Sequence, residues 1–229
     1  ISDGSTDATN SIVESFKNPI IKLIKGRTRM SQQIRQNQLI LLFKGDVLVI
    51  IEADTLPYNN KTINTLVTPL LKSKNKKLGM VTGWAISLPA KTLIEKIDSH
   101  GAKIKGNLFS EWRNGDNLYS AGGHAMKALS RNFASKLTFP TDIPEDSYTY
   151  LRLKKLGLQM IKRSNAKTYV KRASNLKEYI GRNKKFVGGK ETLKKYFPKD
   201  LVNREFTPPV NLLLKHLLLA VFHSPILTI

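Results

Sequence analysis

Val47-Leu48-Val49-Ile50-Ile51-Glu52-Ala53-Asp54-Thr55-Leu56-Pro57 joins an unbroken apolar run to two carboxylates separated by a single residue. An apolar run of this length is what a central parallel strand shows when helices cover both its faces. In open α/β sheets, ligands bind beyond the carboxyl ends of the strands, and Glu52 and Asp54 stand at that end. Residues i and i+2 share a face in a strand, and on leaving it they can converge on one cation. One or two carboxylates completed by substrate phosphates is the usual arrangement for magnesium. Asp54, with Glu52, is therefore a candidate metal and diphosphate site. The competing structural reading is a polar strand end that caps a helix starting at Leu56-Pro57.

Working outward, three more clusters stand out in a chain that holds 38 Lys+Arg against 17 Asp+Glu. Ser2-Asp3-Gly4-Ser5-Thr6-Asp7 reads as a tight turn after a strand. Its Asp3 is free to accept hydrogen bonds from a nucleobase or ribose, and Asp7 suits the cap of a helix over 8–17. Ile1 then reads as the last residue of a strand, so an N-terminal strand is expected to be missing. Pro144-Glu145-Asp146 opens a helix. Acidic residues there complement the helix dipole, or a general base faces a cleft. Arg182-Asn183-Lys184-Lys185-Phe186 places Arg and Lys on one helical face, suited to a diphosphate or simply to water.

The remaining periodicities predict a strand over 20–24, a helix over 28–43, and a helix from Leu56-Pro57 to about Lys72. They continue with a strand at Leu78–Ser87, a helix over 89–112 and a strand over 117–121 that ends in Gly122-Gly123. A helix over 145–156 is stopped by Gly157, a strand follows over 158–161, and a basic helix over 175–196 is broken around Gly188-Gly189. Such alternation predicts an α/β sandwich around a mostly parallel central sheet. After Pro208-Pro209, residues 210–229 are largely apolar. That length approaches a membrane span, and it equally suits a helix lying in the interface or one packed on the domain.

The net charge is +21, and residues 151–205 alone hold 17 Lys+Arg and 4 Asp+Glu. Nucleic acid, an anionic membrane face and a phosphate-rich substrate all suit such a surface. The absence of cysteine excludes a disulfide scaffold and a thiolate zinc site.

The order of the four clusters resembles the family-2 inverting glycosyltransferases of GT-A fold, especially the membrane-associated cellulose, chitin and hyaluronan synthase-like group. Members carry Asp-Gly-Ser-x-Asp after a strand, Asp-x-Asp after a hydrophobic strand, a Glu-Asp pair and a Gln/Arg-x-x-Arg-Trp motif. The matches here are Asp3 to Asp7, Glu52 to Asp54, Glu145-Asp146 and Arg182 to Phe186. Glu52 stands where the family has Asp, and Lys185 and Phe186 stand where it has Arg and Trp. Gly122-Gly123-His124-Ala125-Met126 looks like the family's acceptor-side glycine segment.

The resemblance implies a metal-dependent transfer from a nucleotide sugar, a UDP-sugar foremost, to a hydroxyl of a glycan or lipid-linked acceptor. Asp146 would be the catalytic base. Asp3, Glu52, Arg182 and Lys185 would bind the nucleotide sugar, and Asp54 would hold Mg2+ or Mn2+. Gly123, His124 and Glu145 would line the acceptor site. Residues 1–205 would form the catalytic domain and 206–229 a membrane-associated segment, with catalysis on the cytoplasmic side and no nucleic acid bound. A sugar nucleotidyltransferase and a basic nucleic-acid-binding module are the alternatives; no recognition motif or stacking platform for nucleic acid is visible in the sequence.

Overall fold

In the computed structural model, which describes residues 1–122 and 126–224 with the side chains of 185–187 left aside, the chain opens with β1 (Ser2–Asp3), α1 (Thr9–Ser15), β2 (Lys25–Gly26) and α2 (Gln32–Leu42). Then come β3 (Val47–Ile51), β4 (Thr55–Pro57), α3 (Thr62–Lys72), β5 (Leu78–Ser87), α4 (Leu93–Glu111) and α5 (Leu118–Gly122). The second half holds β6 (Met126–Ser130), α6 (Arg131–Ala134), α7 (Glu145–Lys155), β7 (Gln159–Val170), α8 (Leu176–Leu193), α9 (Lys199–Phe206) and α10 (Val210–His223).

The apolar run at β3 forms the expected strand, but at the end of its sheet. The strand order is β3-β6-β5-β7-β4. β3 pairs antiparallel with β6, β6 antiparallel with β5, β5 parallel with β7, and β7 antiparallel with β4. The sheet is therefore mixed, not mostly parallel. β1 and β2 form a separate parallel pair. The run is apolar because both faces are covered. Leu48 and Ile50 pack on the core built from Met80, Leu129, Phe133, Tyr150 and Met160. Val47 and Val49 pack on the opposite core, where Leu66 of α3 meets Val81, Ala128 and Ala166. Apolar faces say that a strand is covered, and the pairing at its edges is a separate matter.

Other departures have local causes. Residues 20–24 are not a strand; the pairing falls on Lys25–Gly26. Leu56-Pro57 extends into β4 against Tyr169 and Thr168 instead of opening a helix. Residues 118–121 are helical, because Asn117 just before them accepts from Ser120 N at 2.9 Å with its Oδ1 and donates from Nδ2 to the Phe109 and Trp112 carbonyls. β7 runs well past 161, its charges having disguised it. Between Thr82↔Lys162 and Trp84↔Lys167 its ladder with β5 is irregular, a bulge that bends the strand and re-aims its side chains. α8 is not broken at Gly188-Gly189. Gly189 instead lets it pass over Pro144, whose Cγ would lie 2.7 Å from an added Cβ.

α10 packs beside α4 through Glu111. That carboxylate takes Lys215 Nζ at 2.7 Å and His216 Nε2 at 3.0 Å. Leu214, Leu217, Leu218 and Phe222 are left exposed. Among the described residues no helix is long and apolar enough to cross a membrane.

Two glycines test this packing. A Cβ at Gly83 would sit 2.4 Å from the Ala166 carbonyl oxygen, whereas one at Gly101, within α4, meets nothing within 4 Å. Gly83→Ala is expected to cost about 1–3 kcal/mol and Gly101→Ala to gain about 1 kcal/mol in urea unfolding. Equal effects of the two substitutions would refute the β5–β7 register.

Candidate active site

The Asp-Gly-Ser turn forms as expected. Gly4 adopts φ +69, and an added Cβ would meet Arg29 N at 2.6 Å. Asp3 Oδ1 accepts from Met30 N at 3.0 Å and from Arg35 Nε at 2.7 Å. The Met30 N–H first, and the Arg35 guanidinium next, hold this carboxyl below its ordinary range. Asp7 accepts from Thr9 N at the start of α1.

Beyond β3, a turn closes from Thr55 N to the Glu52 carbonyl at 3.1 Å. It brings Glu52 to a small pocket lined also by Gln32, Gln36, Lys127, Glu145 and Asp146. The Glu52 residue is exposed as a whole, yet its carboxyl is pushed above the ordinary range. Desolvation of that end is the main cause, followed by the like charges of Asp54 and Glu145. Asp54 is exposed and reaches this pocket through its charge on Glu52. No group of three or more His, Asp or Glu suited to a metal occurs among the described residues. Two carboxylates one residue apart after a strand do fit a cation that completes its shell with substrate phosphates and water.

The centre of the site is a residue that sequence reasoning missed. Lys127 of β6 is buried, and its ammonium lies between the first two residues of α7, donating to Glu145 Oε1 and, at 2.6 Å, to Asp146 Oδ1. Glu145 Oε1 also accepts from Gln36 Nε2 at 3.1 Å, while Gln36 Oε1 is buried without a partner. A lysine inside Met126-Lys127-Ala128-Leu129 was itself a signal: a charge in an apolar strand is tolerated only when paired.

Asp146 keeps 30% of its side chain open, with protein crowding the rest. Desolvation, then the like charges of Glu145 and Glu52, raise it to about 7 against the pull of Lys127. Gly122 makes room for it: an added Cβ would touch Asp146 Cβ at 3.1 Å.

Glu145 and Asp146 also border a second, wide cleft of about 1170 Å³, whose wall includes Trp84, Phe109, Tyr119, Lys162, Arg172 and Arg182. Arg182 is held by Glu178 at 2.8 Å, and its charge is felt at Glu52. The structure thus brings Glu52, Glu145, Asp146 and Arg182 together. Asp3 lines neither cavity; its link to the site runs through Arg35 on α2, next to Gln36. Lys185 lies on α8 with its side chain outside the described set, and Gly123 and His124 lie outside the described residues. Trp84 and Lys162 were not foreseen either.

No family model and no curated protein matches the chain. The solved structures it resembles include glycosyltransferases. The mannosyltransferase of Pyrobaculum calidifontis, in complex with GDP-Man and Mn2+, superposes with a TM-score of 0.60 at 18% identity, covering 97% of this chain and 61% of that one. The glucosyl-3-phosphoglycerate synthase of Mycobacterium tuberculosis, with Mn2+ and UDP-glucose, gives 0.48 at 16% identity over 84% of this chain and 65% of that one. The shared feature at this identity is the fold, and the chain spans less than two thirds of either structure.

Removing Lys127 leaves buried carboxylates without a cation. Lys127→Met is expected to cost about 3–5 kcal/mol at pH 7. The pH dependence follows from Asp146. In the folded state it holds its proton up to about 7, whereas unfolded it ionises in the ordinary aspartate range. Its contribution to stability is full below that range and is lost as pH rises through about 7. Without Lys127 the loss is larger, so the deficit of Lys127→Met should widen from pH 4 to pH 8 in chemical denaturation. A pH-independent deficit would remove Lys127 from the charge balance.

Proposed function

We propose that this chain transfers a glycosyl group from a nucleotide sugar to an acceptor hydroxyl with inversion. One observation carries the reading: Asp146, a carboxylate poised near neutrality, stands where the small Glu52–Lys127 pocket meets the wide cleft. A general base works best with a pKa near the working pH, and it has to touch the acceptor while the donor lies on its other side. The GT-A likeness and the order of the four acidic and basic clusters support the same reading.

In this mechanism the acceptor hydroxyl lies in the wide cleft. Its oxygen attacks the anomeric carbon from the face opposite the nucleoside diphosphate, its proton passes to the Asp146 carboxylate, and the bond from carbon to phosphate oxygen breaks. Lys127 orients Asp146, and Glu145 anchors Lys127. Arg182 and Lys185 meet the charge that grows on the departing diphosphate. Asp3 contributes to nucleoside binding through the turn that it stabilises. Asp54 and Glu52 are the residues that would hold Mg2+ or Mn2+, which supplies charge neutralisation at the diphosphate. Gly123 and His124 are assigned to the acceptor side. A UDP-sugar donor and a glycan or lipid-linked acceptor complete the proposal.

Asp146→Asn keeps shape and hydrogen bonding but removes the proton acceptor. It is expected to bind the nucleotide sugar normally and to transfer about 10²–10⁴-fold more slowly. Asp54→Ala should show the complementary pattern, losing divalent-dependent donor binding in calorimetry, while Glu52→Asp retains it. A donor panel screened with Mn2+ and Mg2+ supplies the substrate for both. Near-native transfer by Asp146→Asn, or unchanged metal-dependent binding by Asp54→Ala, would overturn the assignment.

Residues 1–205 act as the catalytic domain in this reading, with 206–229 at a membrane surface on the cytoplasmic side. The exposed leucines and Phe222 of α10, in a chain of net charge +21, support it. Apolar burial and attraction to anionic lipid reinforce each other at an interface. The native chain is expected to pellet with phosphatidylglycerol vesicles at low salt, and Leu217→Gln/Leu218→Gln to remain largely in solution. Identical behaviour of the two proteins would reject α10 as the contact.

A further inference from the structure

The wide cleft carries cations besides Arg182 that the transfer chemistry does not use. They are Lys103 and Lys105 of α4, Lys162 of β7, and Arg172. The carboxylates of the cleft are Asp98, Glu145 and Asp146. The last two already hold Lys127, and Asp98, which accepts from Ala173 N at 3.0 Å, offsets part of the charge of Arg172. Positive charge is left in excess on the side facing Trp84.

Lys162 is the most telling of these. Its ammonium lies 4.1 Å from the centroid of the Trp84 ring and donates to Ser110 Oγ at 2.7 Å. Among the described residues it has no carboxylate partner. Burial, with no opposing charge to offset it, pulls its pKa down to about 8. A partly desolvated ammonium without a counter-ion gains most from an anion. Arg172 stands on the same wall. It donates from Nε to Ser87 Oγ at 2.8 Å, and burial lowers it against the charge of Asp98. Gly115 lets the chain approach here: an added Cβ there would meet Lys162 Cβ at 2.8 Å.

Of the residues assigned to the donor, Asp3, Glu52 and Asp54 do not line the wide cleft and Arg182 does, while the catalytic Asp146 borders both cavities. We infer that Lys162, with Arg172, Lys103 and Lys105, forms an anion subsite for the acceptor, which therefore carries a phosphoryl group beside the hydroxyl that receives the sugar. This inference rests on the proposed transfer for the word acceptor, but the anion subsite stands on the cleft alone. Two sources share the chemistry: a soluble phosphoester and a lipid phosphate headgroup.

The test is calorimetric titration of the full chain with inorganic phosphate at pH 7 and low ionic strength. Lys162→Gln is expected to weaken phosphate binding roughly tenfold or more, and Lys162→Arg to retain most of it. Lys103→Gln/Lys105→Gln, at exposed positions, should weaken it by a smaller factor. Nucleotide-sugar binding with Mn2+, titrated separately, should not change in Lys162→Gln. Absence of phosphate binding by the native chain overturns the inference, as does equal affinity in Lys162→Gln. Full displacement of phosphate by a nucleoside diphosphate with Mn2+ also overturns it, since the anion would then sit in the donor site. Lys162-dependent phosphate binding in a chain that binds no nucleotide sugar would overturn the transfer reading and leave the subsite standing. Displacement by glycerol 2-phosphate identifies a soluble acceptor, and displacement only by phosphatidylglycerol vesicles a lipid one; both support the subsite.

Discussion

One buried ammonium organises this molecule. Lys127 stands on a central strand, and the two carboxylates that meet it open α7. Neither side is tolerable alone: a buried ion costs several kcal/mol after relaxation unless good geometry and further hydrogen bonds offset it. The pairing fixes the start of α7 against β6. It also leaves the local balance negative, because Glu52 joins the pair with only Lys127 at the centre. Desolvation first, and that surplus next, raise Asp146 and Glu52 above the ordinary range. A site short of one positive charge is prepared for a proton or a cation, and both roles belong to the proposed reaction.

The sheet topology delivers these groups to one place. β6 lies between β3 and β5 and runs antiparallel to both. Its N-terminal end therefore meets the C-terminal end of β3: Met126 pairs with Ile51, and the next residue along β6 is Lys127. The carboxylate after β3 and the lysine at the start of β6 become neighbours through this register alone. α7 packs in the core shared with Ile50 and Leu129, where Tyr150, Leu151 and Leu153 are buried, and α8 crosses over Pro144 at Gly189. The mixed sheet is thus what closes the site.

Much of the site was legible because its residues break the local rule. Carboxylates are scarce in this chain, and those after Ile51 and Pro144 stand at strand and helix ends, where the structure gathers Glu52, Glu145 and Asp146. β3 and β5 were legible to the residue, β3 because an unbroken apolar run has few alternatives. What the sequence could not carry was pairing. β3 looks central because both its faces are covered, yet it ends the sheet. β7 was cut short because its bulge places Lys162, Arg163 and Lys167 in the strand. Asn117 turned an apparent strand into helix α5 through side-chain bonds to carbonyls five and eight residues upstream. Lys127 was readable in principle, as a lone charge in an apolar strand, but its partners lie 18 and 19 residues away.

The two cavities on either side of Asp146 differ in the sign of their charge. The pocket toward Glu52 is negative and suits a cation, while the wall at Lys162 and Arg172 is positive and suits an anion. A ligand that bridges them has to present opposite needs at its two ends, and a field of that form orients it before contact. The carboxylate at the boundary borders both, so the group that takes the proton stands where the two ends of such a ligand meet.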